Sequence, residues 1–151
     1  MVRPADTRLY ADVMLGRLVT YLRMCGYDTA YALDRGVEAD DAIREAAIAE
    51  DRRLLTRDRR LADRTPDAVL LRSRDVTDQL GELLDGGFVL AVRMARCSVC
   101  NGPLERAPDR PADAPDTGPV WRCRDCGQHF WRGSHVADVR ERLSALRERE
   151  P

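Results

Sequence analysis

Leu9-Tyr10-Ala11-Asp12 is a short apolar run ending on a carboxylate, and Met14, Leu15, Leu18, Leu22 and Cys25 follow it at three- and four-residue steps until Gly26. The order is strand, acid, helix. The same pattern then returns along the chain. Tyr27 to Leu33 reads as a second strand, Asp40 and Asp41 open a helix carrying Ile43, Ala46, Ala47 and Ile48, and Arg53-Leu54-Leu55-Thr56 forms a third strand that stops near Asp58. Ala68-Val69-Leu70-Leu71 and Phe88-Val89-Leu90-Ala91-Val92 read as two further strands, with a helix from about Asp75 to Leu84 between them. Strands alternating with helices at this spacing predict an α/β fold, a mostly parallel sheet flanked by helices.

The pattern changes at residues 93–96. Beyond them come two matching turns, Cys97-Ser98-Val99-Cys100-Asn101-Gly102 and Cys123-Arg124-Asp125-Cys126-Gly127-Gln128, separated by a stretch with Pro103, Pro108, Pro111, Pro115 and Pro119 that reads as a surface loop. Each turn offers two thiolates, and two such knuckles facing each other supply the soft tetrahedron that Zn2+ takes in structural sites. Cys97, Cys100, Cys123 and Cys126 are therefore expected to hold one structural zinc, in a small ribbon that draws much of its folding free energy from the metal. Four thiolates close the shell, so this ion is not expected to activate water. Val136, Val139, Leu143 and Leu146 lie at helical spacing among Arg and Glu. The division expected is thus an α/β domain over residues 1–92, a zinc ribbon over 93–135 and an amphipathic helix over 136–151.

Composition narrows the function less. All 25 basic residues are arginine and 26 are acidic, leaving a net charge of -1 that names no partner. Residues 1–92 carry 14 Arg and 17 acids, whereas residues 93–135 carry 7 Arg and 5 acids, so the ribbon leans basic. Charges at Asp6, Arg8, Asp12, Arg17 and Arg23 interrupt any leader-like apolar core, and no later stretch is suited to span a bilayer. A cytoplasmic protein is expected, where paired cysteines serve as metal ligands more often than as disulfides. Cys25, at the end of an apolar helical stripe, is expected to be a core thiol.

Asp12, the pair Asp40/Asp41, and Asp58 each fall at the end of a strand or the start of a helix. Ligand sites of open α/β sheets gather on that edge. Carboxylates converging there would bind Mg2+ or Mn2+ through oxygen, and a pair of such ions can activate water and stabilise the leaving oxygen of a phosphodiester. Aspartate is also among the best helix N-caps, so each of these residues equally suits a capping role.

The chain resembles a known family on many of these same residues. They are Asp12 followed by Met14-Leu15-Gly16-Arg17-Leu18; Tyr21-Leu22-Arg23-Met24-Cys25-Gly26-Tyr27-Asp28-Thr29; Asp40-Asp41; Leu54-Leu55-Thr56-Arg57-Asp58-Arg59; and Gln79-Leu80. Arg96-Cys97, Cys100-Asn101-Gly102-Pro103-Leu104, and Cys123 to Cys126 leading to Phe130-Trp131-Arg132-Gly133-Ser134-His135 continue the match. The family is the Mut-seven C-terminal ribonuclease domain, a PIN-like domain fused to a zinc ribbon, and the resemblance runs over about residues 8–135. Cys25 stands where the family usually has a larger apolar residue, and the proline loop is particular to this chain. The resemblance implies a PIN-like fold whose relatives are metal-dependent ribonucleases, with Asp12, Asp40 or Asp41, and Asp58 in the acidic site.

Three functions compete on this reading. The first is an endoribonuclease in which Asp12 and Asp58 bind Mg2+ or Mn2+, Asp40 or Asp41 completes the shell, and Arg17, Arg57 and Arg59 hold phosphates. The second is an RNA-binding module without cleavage, using Arg122, Arg124 and Arg132 interleaved with Trp121 and Trp131 to contact phosphates and stack on bases. The third is an interaction protein whose ribbon docks on a protein partner. Two of the three aromatics Trp121, Phe130 and Trp131 are expected to pack the ribbon against the α/β domain, and His129 and His135 to be structural rather than ligands.

Overall fold

The computed structural model describes residues 1–149. Four parallel strands, β1 (Leu9–Ala11), β2 (Thr29–Tyr31), β3 (Arg53–Thr56) and β4 (Val69–Leu70), form a sheet in the order β2-β1-β3-β4. The helices α1 (Gly16–Met24), α2 (Asp40–Ala49), α3 (Arg59–Arg64) and α4 (Val76–Asp85) connect and cover them. Side chains alternate across the sheet with period two. Leu9, Ala11 and Leu55 join Leu15, Leu18, Leu22, Leu80 and Leu83 in one core, and Tyr10, Leu54 and Ala30 join Ile43, Ala47 and Leu61 in the other. A leucine fully buried in this way contributes about 2 kcal/mol, so the α/β layers have ample apolar area of their own.

The C-terminal part is a three-stranded antiparallel sheet, β5 (Leu104–Arg106), β6 (Val120–Cys123) and β7 (His129–Trp131), followed by helix α5 (Ser134–Glu148). Helix α5 returns to the α/β layers, where Val139, Leu143 and Leu146 complete the first core against α4. The amphipathic pattern read from Val136 onward is therefore a packing face; Glu150 and Pro151 of the expected helix lie outside the described residues. Cys25 is buried in the same core, and burial pushes its thiol up to about 12, so it stays protonated.

Two expected strands need correction. The second is shorter than Tyr27 to Leu33: β2 covers Thr29–Tyr31, and a single 3-10 turn at Leu33–Arg35 ends on Gly36 with φ of 67°. Phe88 to Val92 joins neither sheet among the described residues. Its backbone meets Val2 instead, with Val89 N–H donating to the Val2 carbonyl at 2.7 Å, while Phe88 and Leu90 point into the core. A short apolar run has the same signature whether it makes a ladder or only buries its side chains.

Candidate active site

Asp12 and Thr56 leave the parallel sheet side by side, because Ala11 is paired with Leu55 and the Asp12 N–H donates to the Leu55 carbonyl at 3.0 Å. Asp12 is buried, with Oδ1 accepting from the Val13 N–H at 2.7 Å and Oδ2 from the Thr56 hydroxyl at 2.6 Å. Thr56 Oγ1 also accepts from the Asp58 N–H at 3.0 Å. One buried hydroxyl thus links the carboxylate that follows β1 to the backbone of the acid that follows β3. Asp58 is the N-cap of α3, its Oδ1 accepting from the Leu61 N–H at 3.2 Å. Capping and membership of the acidic edge therefore coincide in this residue.

The adjacent pair Asp40 and Asp41 divides. Asp40, in the first turn of α2, has its carboxyl raised above the usual carboxylate value by loss of hydration, then by the charges of Asp58 and Asp12. Its side chain therefore belongs to the same electrostatic cluster. Asp41 instead pairs with Arg64 at 2.6 Å, on the surface. The donor set at this edge is three carboxylates beside one hydroxyl, all hard oxygens of the kind Mg2+ and Mn2+ take.

Arginines surround the edge. Arg57 lies between Thr56 and Asp58 in sequence, and its Nε is buried without a partner among the described residues. Arg59 is exposed in the first turn of α3. Arg17 lines a cleft of about 340 Å³ that also takes in Tyr31, Arg74 and Gln79. Tyr31 ties this cleft to the acids: its hydroxyl donates to the Val13 carbonyl at 2.7 Å, and the negative charge of Asp12 is among the causes that raise it, after burial and Asp34. Arg74 was not singled out by sequence, since it lies in a polar turn with no periodic or motif signal.

The four cysteines gather on the ribbon with their sulfurs all within 4.8 Å of one another. Cys97 and Cys126 Sγ are 3.8 Å apart, and Cys100 and Cys123 Sγ are 3.5 Å apart. Sulfurs at about 2.3 Å from one tetrahedral ion stand roughly 3.8 Å apart, so the set can hold a structural metal ion such as zinc. Backbone N–H groups of Cys100 and Cys126 point at Cys97 and Cys123 Sγ at 3.4 Å. Gly102 is required here, because a Cβ would sit 2.7 Å from Cys123 Sγ. Among the described residues this is the one group of three or more metal-binding side chains gathered so closely; the acidic edge is more open.

The model of the Mut7-C RNAse domain matches residues 7–143, a span that includes the acidic edge and all four cysteines. The chain belongs to the Mut7-C RNAse domain family. No curated protein and no solved structure matches it. No helix among the described residues is long and apolar enough to cross a membrane.

In this Mut7-C domain the two knuckles play unequal parts. The first is docked on the edge strand β2: Asn101 Oδ1 accepts from the Thr29 N–H at 2.9 Å, and its Nδ2 donates to Asp28 at 2.7 Å. Buried Arg23 of α1 donates to the Thr29 carbonyl at 3.0 Å and to the carbonyls of Ser98 and Val99 at 3.3 and 3.1 Å. Arg52 reinforces Asp28 at 2.8 Å. Edge-strand groups that would otherwise face water are thus closed by the ribbon. The second knuckle, from Arg124 to Gln128, is exposed.

The ribbon's aromatics and arginines differ from expectation in one respect. Trp121 is buried within the ribbon between the guanidinium groups of Arg132, 5.0 Å from its ring centre, and Arg106, 5.8 Å away. Phe130 and Trp131 are half-buried and line a cleft facing Met24 and Val92, outside the α/β core. Polar docking through Asn101 and Arg23 holds the ribbon where aromatic packing was expected. Arg122 and Arg124 both reach Glu105, at 3.2 and 3.6 Å. His129 pairs with Asp109 at 3.2 Å and His135 is exposed, so neither joins the sulfur centre.

Proposed function

We propose that this Mut7-C domain is a metal-dependent ribonuclease of PIN-like fold that hydrolyses RNA phosphodiesters endonucleolytically at the acidic edge, with a structural Zn2+ in the ribbon. The observation that carries the reading is the Thr56 hydroxyl, which joins the Asp12 carboxylate to the backbone N–H of Asp58, with Asp40 in one cluster of charge with both acids. Asp12, Asp58 and Asp40 are the residues that would hold Mg2+ or Mn2+; Asp41, bound to Arg64, would at most shape the approach. A divalent ion there supplies Lewis acidity toward the phosphate and lowers the pKa of a water.

The chain's own groups do the rest. Thr56 and the Val13 N–H each donate to one oxygen of Asp12, which fixes its carboxylate before substrate arrives and removes the cost of ordering it later. Asp40, whose carboxyl faces the charges of Asp58 and Asp12, would complete the shell of a divalent ion and be relieved of that repulsion by it. Arg57, with its unpartnered Nε, and the exposed Arg17 and Arg59 hold the flanking phosphates. The ribbon adds a second contact with RNA through Arg122, Arg124, Trp131 and Arg132.

RNA binding without cleavage is the second reading, and the wider spacing of the acids relative to the sulfurs favours it. Purified protein incubated with structured and unstructured RNAs, in Mn2+ or EDTA, separates the two. Internal cuts that need Mn2+ support the nuclease; retained binding with intact RNA under every metal supports the binding module.

A further inference from the structure

The cleft between the ribbon and the α/β layers has chemistry that neither layer shows alone. It encloses about 340 Å³ and is lined by Phe130 and Trp131 of β7, Met24 of α1, Val92, Arg93 and Arg96 of the connecting segment, and the first turn of α5. That volume is at the small end of the range for organic ligands. Among the described residues no carboxylate lines it, although 26 acids are spread over the chain. Every charged or ionisable side chain on its wall is Arg or His. Arg93 and His135 have no hydrogen-bond or acidic partner for their side chains among the described residues, whereas Arg96 reaches the Asn101 carbonyl at 3.2 Å and Asp28 at 3.6 Å, and His129 pairs with Asp109 at 3.2 Å.

Two further features suit a planar, anionic guest. The Trp131 indole is held in place at the end of β7, paired through Val120 and backed by Gly133, where a Cβ would approach its Nε1 to 3.2 Å. Helix α5, 15 residues long, presents its first turn to the same cleft, and Gly133 at its N-cap brings no side chain to satisfy the leading N–H groups. An apolar peptide would use the rings and Met24 but would leave Arg93, His135 and the helix end without anions. An unpaired nucleotide uses both kinds of wall.

We propose that this cleft is a nucleobase subsite that takes one unpaired nucleotide of an RNA strand, its base against Trp131 and Phe130 and its phosphate toward Arg93 and the start of α5. The subsite rests on the reading that the protein acts on RNA, and it explains how the ribbon selects single-stranded segments while the acidic edge performs the cut. Trp121 lies under two arginines and contributes nothing to this surface.

The test is the affinity of the full, zinc-loaded chain for fluorescein-labelled oligouridine and for an RNA duplex, measured in Ca2+ at several salt concentrations. The variants are Trp131→Ala, Trp131→Phe and Arg93→Ala, each checked for one zinc per chain and an unchanged thermal transition. Trp131→Ala is expected to weaken oligouridine binding about tenfold, the scale of one base stack, with Trp131→Phe restoring most of it. Arg93→Ala is expected to lower the salt slope by about one, and duplex affinity should move little in all three. Wild-type affinity and slope retained in Trp131→Ala and Arg93→Ala, beside clear oligouridine binding, would overturn the subsite and leave RNA as the substrate. Absence of any RNA binding by the wild type would overturn both.

Discussion

The sulfur centre and the acidic edge are both clusters of would-be metal ligands, yet they are built in opposite ways. Four sulfurs sit within 4.8 Å of one another, supported by N–H groups of their own knuckles and by a glycine that leaves no room for a side chain. The ribbon around them buries few apolar residues, chiefly Val120 and Trp121. With so little apolar area, its folding is expected to depend on an ion held by the four sulfurs. The acidic edge stands instead on two filled apolar cores, and two of its three carboxylates, Asp12 and Asp58, already have protein donors. Its folding does not need a cation, and mutual repulsion works against it when none is bound. Losing a ligand should therefore unfold one region and relieve the other.

The largest expected effect is on the sulfur side. Cys97→Ser should release the metal, and because metal-coupled folding is worth about 10 kcal/mol or more, residues 97–131 should lose their amide protection. Amides of β1 and β3 should stay protected, with β2 weakened because Thr29 loses Asn101. Hydrogen exchange with and without a chelator reads this directly, and a ribbon that stays protected without metal would erase the contrast.

Next in size is the joint between the regions. Asn101→Asp keeps an acceptor for the Thr29 N–H but turns the donor that meets Asp28 into a second carboxylate, which should cost about 2 kcal/mol near neutral pH. Partial burial raises Asp28, but hydrogen bonds from Asn101 and Arg52 and the charges of Arg52 and Arg96 outweigh it and hold its carboxyl below the ordinary value. With the folded value below the unfolded one, about 3.9, its contribution is present above that pH and is lost as pH falls through the folded value. Acid should thus loosen ribbon docking in the wild type, seen as earlier exchange at Thr29. For Asn101→Asp the same acidification should recover part of the deficit as the paired carboxylates take up a proton.

Much of this arrangement was legible in the chain, and the failures have physical causes. Leu9-Tyr10-Ala11-Asp12 and Arg53-Leu54-Leu55-Thr56 are recognisable because an apolar run stops on a polar residue at the edge of the sheet. Helix α3 is only six residues long and buries only Leu61, so it had no periodicity to detect; Asp58 as its cap was its one signal. The spacing of the cysteines announced the sulfur centre. Nothing announced Asn101 or Arg23 as the docking residues, because their partners Asp28 and Ser98 lie 73 and 75 residues away in sequence. The sorting of Asp40 from Asp41 depended on Arg64, across the α2–α3 contact, which no local pattern contains.

Smaller effects sharpen the acidic side. Thr56→Val removes the hydroxyl shared by Asp12 and the Asp58 N–H with little change of shape, and should cost about 1 kcal/mol while lowering Mn2+-dependent cleavage more than RNA affinity. Asp40→Asn should lower cleavage strongly and leave stability unchanged or slightly raised, since it removes a charge facing two others. Asp41→Asn should change stability by less than about 0.5 kcal/mol, as expected for an exposed pair, and leave cleavage intact. Equal activity losses in Asp40→Asn and Asp41→Asn would show that the division between them has no functional weight.

The most direct measurement is Mn2+-dependent cleavage of an unstructured RNA by the wild type, Asp12→Asn and Asp58→Asn, beside their thermal transitions without divalent cation. The account predicts internal cuts by the wild type and a loss of at least about a thousandfold in both variants. Asp58→Asn, which still caps α3, should show a transition at or above that of the wild type, whereas Asp12→Asn should be less stable by about 1 kcal/mol, because it keeps only one of the two acceptors that Val13 and Thr56 use. Cleavage that survives both substitutions, or a wild type that binds RNA and never cuts it, would contradict the assignment of catalysis to this edge.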